Sequence, residues 1–256
     1  MEATSIKEYE RLDQYYWWFI GRRKILLSLL KRFFDKKRIQ ILDWGCGPGG
    51  NYKILSQFGS VTSVDASEEA ILACKSKEII NIQLAATLQE FKPQTKFDLV
   101  TNFDVLEHIE DDNTFIRDVK NILVPKGYML VTVPAYQFLW TKLDQVLGHK
   151  RRYTKGELIR KFKNSGYEII FASYFVCLLS PAFILYRMIE KCINLVIKKE
   201  NNTLNDSVIE FPKAINWLFA STFSIEAFLM KYFSLPFGTS IIVLARAKKQ
   251  PWIIKA

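Results

Sequence analysis

Apolar positions recur at helical spacing from residue 5 to 34, where an aromatic cluster at 15–19 precedes basic residues and a leucine-rich run at 25–30. This stretch reads as a helical lead-in. The run Ile39–Trp44 is short, continuous and ends in glycines, the profile of a buried parallel strand, and residues 51–58 supply the helix after it. The alternation continues with strands at 60–64, 79–84, 97–102, 128–133 and 168–175 and helices at 67–77, 113–123 and 155–165. Such spacing predicts a doubly wound, mostly parallel α/β sheet.

After residue 175 the pattern changes. Residues 176–197 and 215–233 are apolar and aromatic at helical spacing, separated by a polar stretch at 198–207. A last strand-like run at 240–245 can close the sheet, before a basic C-terminus with Arg246, Lys248, Lys249 and Lys255. The expected division is a lead-in at 1–36, a core at 37–175, an apolar helical insertion at 176–235 and a last strand with tail at 236–256. A membrane span at 171–186 has only 16 uncharged residues against the ~20 required, and Pro181 interrupts it. The insertion therefore reads as a helix packed on the sheet or lying in a membrane interface.

A length of 256 residues suits one domain with elaborations, and 49% hydrophobic with 24% charged residues excludes a disordered or collagen-like chain. The four cysteines are scattered, without metal-ligand spacing, which points to a reducing cytosol. The polar opening residues lack the apolar stretch of a secretory signal, so a cytoplasmic protein is expected.

The segment Asp43-Trp44-Gly45-Cys46-Gly47-Pro48-Gly49-Gly50 is a glycine-rich turn between strand and helix, where a ligand can approach the backbone and helix amides. Gly45, Gly47 and Gly50 also satisfy the GxGxxG pattern, with Asp65 about 20 residues on as a dinucleotide site requires. Asp43 separates the two cases. A carboxylate before the glycines repels a pyrophosphate and suits an ammonium group. Asp65, at the carboxyl end of the second strand, reads as an acceptor for ribose hydroxyls or as an N-cap for the helix near Ser67.

This stretch resembles the first motif of the class I S-adenosylmethionine-dependent methyltransferases. A second match, Phe97 through Ile109 with Asn102-Phe103-Asp104-Val105-Leu106-Glu107-His108, resembles their fourth motif. The resemblance covers about residues 37–175 and implies a seven-stranded Rossmann-like fold with S-adenosylmethionine as cofactor. It implies cofactor contacts from Asp43, Gly45, Cys46, Gly47, Asp65, Ala66, Asn102, Phe103 and Asp104. One departure is Leu84-Ala85-Ala86-Thr87-Leu88, which lacks the acid these enzymes often place near the adenine. Adenine recognition there rests on backbone and Thr87, and weaker cofactor affinity is the consequence to expect.

The loop at 138–153 is where such folds put substrate contacts, outside the carboxyl ends of the strands. Trp140, Arg151, Arg152 and Tyr153 are the expected substrate residues, and Gly148 to Tyr153 resembles a GHxRRY subgroup. The chain's two histidines, His108 and His149, fall on the same face. His149 is the expected general base for an acceptor hydroxyl, while His108 reads equally as catalytic or structural. Glu107 and His108 are two neighbours without a third ligand in the motif, so no metal is expected.

The formal charge of +10 is concentrated. Residues 22–38 hold eight basic residues against one acid, and residues 142–163 eight against two. Arg151 and Arg152 suit a phosphate or carboxylate on the substrate. Basic segments beside an apolar insertion suggest peripheral association with an anionic membrane at its cytoplasmic face. The expected reaction is O-methylation of a small or lipid-linked acceptor, such as a polyprenyl-linked sugar or a quinone-like precursor. The alternatives are an RNA methyltransferase, disfavoured by the apolar insertion and the lack of an RNA-binding module, a non-catalytic cofactor-binding protein, and an NAD-dependent oxidoreductase.

Overall fold

The computed structural model describes residues 3–35, 38–196 and 210–248. The last basic residues expected at the C-terminus, Lys249 and Lys255, lie outside them, as does the polar stretch at 198–207. Among the described residues seven strands form one sheet: β1 (Ile39–Trp44), β2 (Gly59–Asp65), β3 (Ile82–Leu84), β4 (Phe97–Phe103), β5 (Leu123–Pro134), β6 (Tyr167–Phe175) and β7 (Ser240–Ala247). Their order is β3-β2-β1-β4-β5-β7-β6. The last strand slots antiparallel between β5 and β6, and the pairings among β1 to β5 are parallel.

Nearly every residue of β1, β4 and β7 is buried, because helices cover both faces of the sheet and leave no solvated side. On one face α5 (Asp112–Ile122) and α7 (Lys155–Asn164) set Ile116, Val119, Leu158 and Phe162 against Leu42, Val100, Met129 and Val243. On the other, α2 (Trp17–Phe34) and α9 (Lys213–Leu229) set Leu26, Leu30, Ala220 and Phe223 against Ile41, Leu99, Leu130 and Ile242. Shorter helices are α3 (Tyr52–Leu55), α4 (Glu68–Ser76) and α6 (Lys142–Val146), and α8 (Ser180–Val196) precedes α9.

The lead-in is two helices. Tyr16 is extended, with φ −72° and ψ 133°, and separates α1 (Ala3–Tyr15) from α2. The aromatic run divides there: Phe19 packs with Tyr9 and Leu12 of α1, while Trp17 turns inward to stack on Phe183 at 5.1 Å. Two other elements are shorter than their sequence patterns, α3 and β3, and β5 begins earlier, at Leu123.

The apolar insertion docks on α2. Gly21 allows the close approach, since a Cβ there would lie 2.4 Å from the Phe223 ring. Lys24, Ser28 and Arg32, one turn apart, donate to the carbonyls of Ala220, Ala227 and Met230 at 2.8, 3.2 and 2.9 Å. Two members of the basic cluster, Lys24 and Arg32, thus satisfy backbone carbonyls at the neighbouring helix. Among the described residues no helix is long and apolar enough to cross a membrane.

Candidate active site

The strand order reverses between β1 and β4, and a crevice opens at their carboxyl ends, as the topology requires. The turn after β1 forms its floor. Gly45 and Gly47 adopt left-handed φ values of +77° and +53°, which favour glycine. A Cβ at Gly45 would strike Val105 at 2.3 Å, whereas one at Gly47 would meet nothing within 4 Å, so the loop presents bare backbone to open space. Asp65 fixes the loop, its carboxylate accepting from the amides of Gly47 at 2.8 Å and Ser67 at 3.0 Å. Ser67, rather than Asp65, caps α4 by accepting from Ala70.

The cavity above this floor has a volume of about 890 Å³. Its roof comes from the lead-in: Tyr9 and Leu12 of α1, Trp18 and Arg22 of α2. Asp13 presses so closely on the glycine turn that a Cβ at Gly50 would fall 2.4 Å from its carboxylate, and Arg23 pairs with Asp13 at 2.6 Å. Arg22 is buried and ion-paired with Asp104, its guanidinium 4.6 Å above the Trp18 ring. Asp104 holds φ +56° at the end of β4, with its amide bonded to the carbonyl of Thr132 at 2.9 Å.

At the other end of the cavity stand Glu107, His108, His149, Asp144 and Arg152. Glu107 is fully buried with both carboxylate oxygens unpartnered among the described residues, and burial, then the nearby Asp104 charge, raises its pKa well above the ordinary value. His149 donates through Nδ1 to Asp144 at 2.8 Å, and its Nε2 lies 3.8 Å from Glu107 Oε1. Burial opposes the ionisation of Asp144, but the His149 hydrogen bond and the two-pronged Arg152 contact prevail and hold its pKa at about 2. His108 donates through Nδ1 to the carbonyl of Gly148 at 3.1 Å, and burial, then the neighbouring His149, lowers its pKa to about 4. One donor atom each from Glu107, His108 and His149 lie within 4.8 Å of one another, a spacing at which they can hold a metal ion.

The family model described as a methyltransferase domain matches residues 18–171. The chain belongs to this methyltransferase family. An uncharacterized protein of Methanocaldococcus jannaschii is 30% identical over 169 residues, covering 63% of this chain and 72% of that one. A ubiquinone biosynthesis O-methyltransferase of Pelagibacter ubique is 30% identical over 139 residues, covering 49% of this chain and 58% of its own length, so the chain spans less than two thirds of it. Among solved structures the N-methyltransferase NodS of Bradyrhizobium japonicum, in complex with S-adenosylhomocysteine, shares the fold with a TM-score of 0.53 at 16% identity, covering 93% of this chain and 91% of that one.

The cofactor of this class I methyltransferase is S-adenosylmethionine, and the crevice fits it. Gly47 leaves room for the ligand against the backbone, and Asp65 stands at the carboxyl end of β2. Asp43 is 1% exposed behind the turn; its Oδ1 accepts from Thr101 at 2.7 Å, and its Oδ2 has no partner among the described residues. An unpartnered buried carboxylate oxygen suits a cationic ligand.

Of the residues expected to hold cofactor, Gly45, Cys46, Gly47, Asp65, Ala66, Thr87, Phe103 and Asp104 line the cavity, whereas Asp43 and Asn102 lie behind its wall. Both histidines and Arg152 line it too. Three expected substrate residues do not. Tyr153 is a core residue, fully buried with its hydroxyl donating to Asp112 at 2.8 Å; Arg151 is held by Asp112 at 3.5 Å and by the Glu110 carbonyl at 2.9 Å; Trp140 stands outside the lining. Arg152 is spent on Asp144, so the two arginines are engaged by protein carboxylates and do not form an open anion clamp. The roof residues Tyr9, Trp18 and Arg22 were missed, although the aromatic cluster followed by arginines carried Trp18 and Arg22.

Burial raises the Asp43 pKa to about 6, above the usual carboxylate range. Its contribution to stability is therefore fully present below pH about 4, near the unfolded value, and is lost as pH rises through 6. Asp43→Asn should stabilise the cofactor-free methyltransferase at pH 7 by on the order of 2–3 kcal/mol, with the gain vanishing toward pH 4, while weakening cofactor binding. Urea unfolding of both forms across that range checks it; parallel stability curves would contradict it.

Proposed function

We propose that this methyltransferase O-methylates a small or lipid-linked acceptor carrying a hydroxyl group, with His149 governing the hydroxyl proton. The observation that carries the reading is the His149 imidazole at the inner end of the cavity, oriented by Asp144 so that Nε2 faces inward beside Glu107. When bound, S-adenosylmethionine supplies a methyl group on a positively charged sulfur. The protein's task is then alignment, worth up to roughly 7–11 kcal/mol in favourable cases, and control of one proton, worth about 10²–10⁴-fold. Asp144 holds the His149 tautomer, and Arg152 holds Asp144.

The remaining walls support the acceptor class. Trp17, Phe183, Ile184 and Phe211 make the side of the cavity under α8 largely apolar and aromatic, with Tyr186 and Arg187 beside them, which suits a ring or a prenyl chain. The Pelagibacter ubique relative, named for ubiquinone biosynthesis, supports a quinone-like precursor. Outside, α9 exposes Trp217, Leu218, Ile225 and Phe228 beside Lys24, Lys31 and Lys231, which line a shallow groove over Leu27 and Ala227. Aromatic and aliphatic groups rimmed by lysines suit the headgroup region of an anionic membrane, where a lipid-linked acceptor resides.

Incubation with methyl-labelled S-adenosylmethionine and a membrane fraction should move label into the organic phase. His149→Ala should lower that turnover by about 10²-fold or more while leaving S-adenosylhomocysteine affinity unchanged. Label recovered only in RNA, or no transfer despite cofactor binding, would overturn the acceptor or the enzymatic reading respectively. Separately, the protein should sediment with phosphatidylglycerol vesicles and lose this on Trp217→Ser with Phe228→Ser; equal sedimentation of both forms would remove α9 as the membrane face.

A further inference from the structure

Both histidines of the 256-residue chain end at one place, beside a carboxylate that has no hydrogen-bond partner among the described residues. The rings of His108 and His149 meet edge to face with centroids 4.9 Å apart, and His149 Nε2 stands 3.8 Å from Glu107 Oε1. In each ring Nδ1 is already committed. The carboxylate of Asp144 and the carbonyl of Gly148 can only accept, so Nδ1 carries a proton in both rings and Nε2 is the nitrogen each ring can offer to a cation. Glu107 adds two unpartnered oxygens in a fully buried position. Two imidazole nitrogens and two carboxyl oxygens gathered this closely offer a cation a ready set of donors. A carboxylate or carbonyl on the outer nitrogen of a histidine is also the arrangement that orients metal-ligating imidazoles.

We propose that Glu107, His108 and His149 bind a divalent transition-metal cation. One carboxylate and two imidazoles suit Zn²⁺, Mn²⁺, Fe²⁺ or Co²⁺, and three protein ligands leave coordination positions open toward the cavity. The sequence expectation of no metal saw only the neighbours Glu107 and His108; the third ligand arrives on the loop after α6, which hydrogen bonds join to the Glu107 segment, the Lys150 amide meeting the Glu107 carbonyl at 2.9 Å.

What the ion does rests on the methyl-transfer reading of this cavity. An acceptor hydroxyl on an open coordination position loses its proton to water at lower pH. Its oxygen lone pair then forms the bond to the methyl carbon as the carbon–sulfur bond breaks and leaves its electron pair on sulfur. In the loaded site His149 acts on the hydroxyl proton through the ion instead of taking it directly.

The test uses the full chain, stripped with a chelator and titrated with Co²⁺ by visible absorption and with Mn²⁺ by calorimetry, without cofactor or acceptor. One ion per chain should bind, with ligand-field bands of nitrogen and oxygen ligands that a chelator abolishes. His108→Ala, His149→Ala and the isosteric Glu107→Gln should each weaken binding at least about 10-fold, and Asp144→Asn about 10–100-fold, with circular dichroism confirming the fold. Absence of saturable binding to folded wild-type protein, unchanged affinity in the double histidine variant, or thiolate bands placing Co²⁺ on cysteine would overturn the site. A parallel titration with S-adenosylhomocysteine separates the two readings: cation binding without it would leave the ion site standing and strike the methyltransferase reading.

Discussion

A buried guanidinium adds an ion pair to the apolar packing that holds the lead-in on the sheet. Arg22 reaches from the middle of α2 to Asp104 at the end of β4, packed over Trp18, and removing one partner of such a pair typically costs about 3–5 kcal/mol because the other charge is left buried alone. With α2 pinned there, the rest follows by contact. The next residue, Arg23, ties Asp13 and thereby α1 over the glycine turn, while Gly21 and Lys24 on the far side of α2 receive α9. That ion pair joins the cavity's roof to the end of β4.

Two buried carboxyl groups of that site keep oxygens without hydrogen-bond partners among the described residues. Asp104 is matched by Arg22, and Asp144 by Arg152 and His149. Among the described residues, Asp43 Oδ2 and both Glu107 oxygens accept no hydrogen bond. Keeping such groups buried is costly unless a positive charge arrives to compensate them. Behind the glycine turn this suits the ammonium and sulfonium charges of S-adenosylmethionine. Beside Glu107 the two imidazoles complete the donor set of the proposed cation.

Much of this was legible in the sequence because the informative residues lie close together along the chain. The glycine turn, Asp65 and the fourth-motif loop are contiguous segments whose geometry follows from strand and turn chemistry, and eight of ten expected cofactor residues line the cavity. Asp43 and Asn102 fall behind the wall because both lie within buried strands, short of the carboxyl ends where the crevice opens. Arg22 and Asp104 are far apart in sequence, and a basic residue on an aromatic helix looks like any solvated one until its partner is known. Tyr153, Arg151 and Arg152 sat in a loop of the right place and charge, but Asp112 and Asp144 claim their polar groups first. Charge density in a sequence counts arginines without counting the carboxylates that the fold brings to them.

The central claim is that the roofed crevice between β1 and β4 is an S-adenosylmethionine site. Calorimetric titration of the purified chain with S-adenosylmethionine, S-adenosylhomocysteine and NAD, each alone, tests it most directly. Saturable one-to-one binding of the first two with no heat from NAD is the predicted result. Binding of NAD alone, or of none of the three to folded protein, would contradict the account.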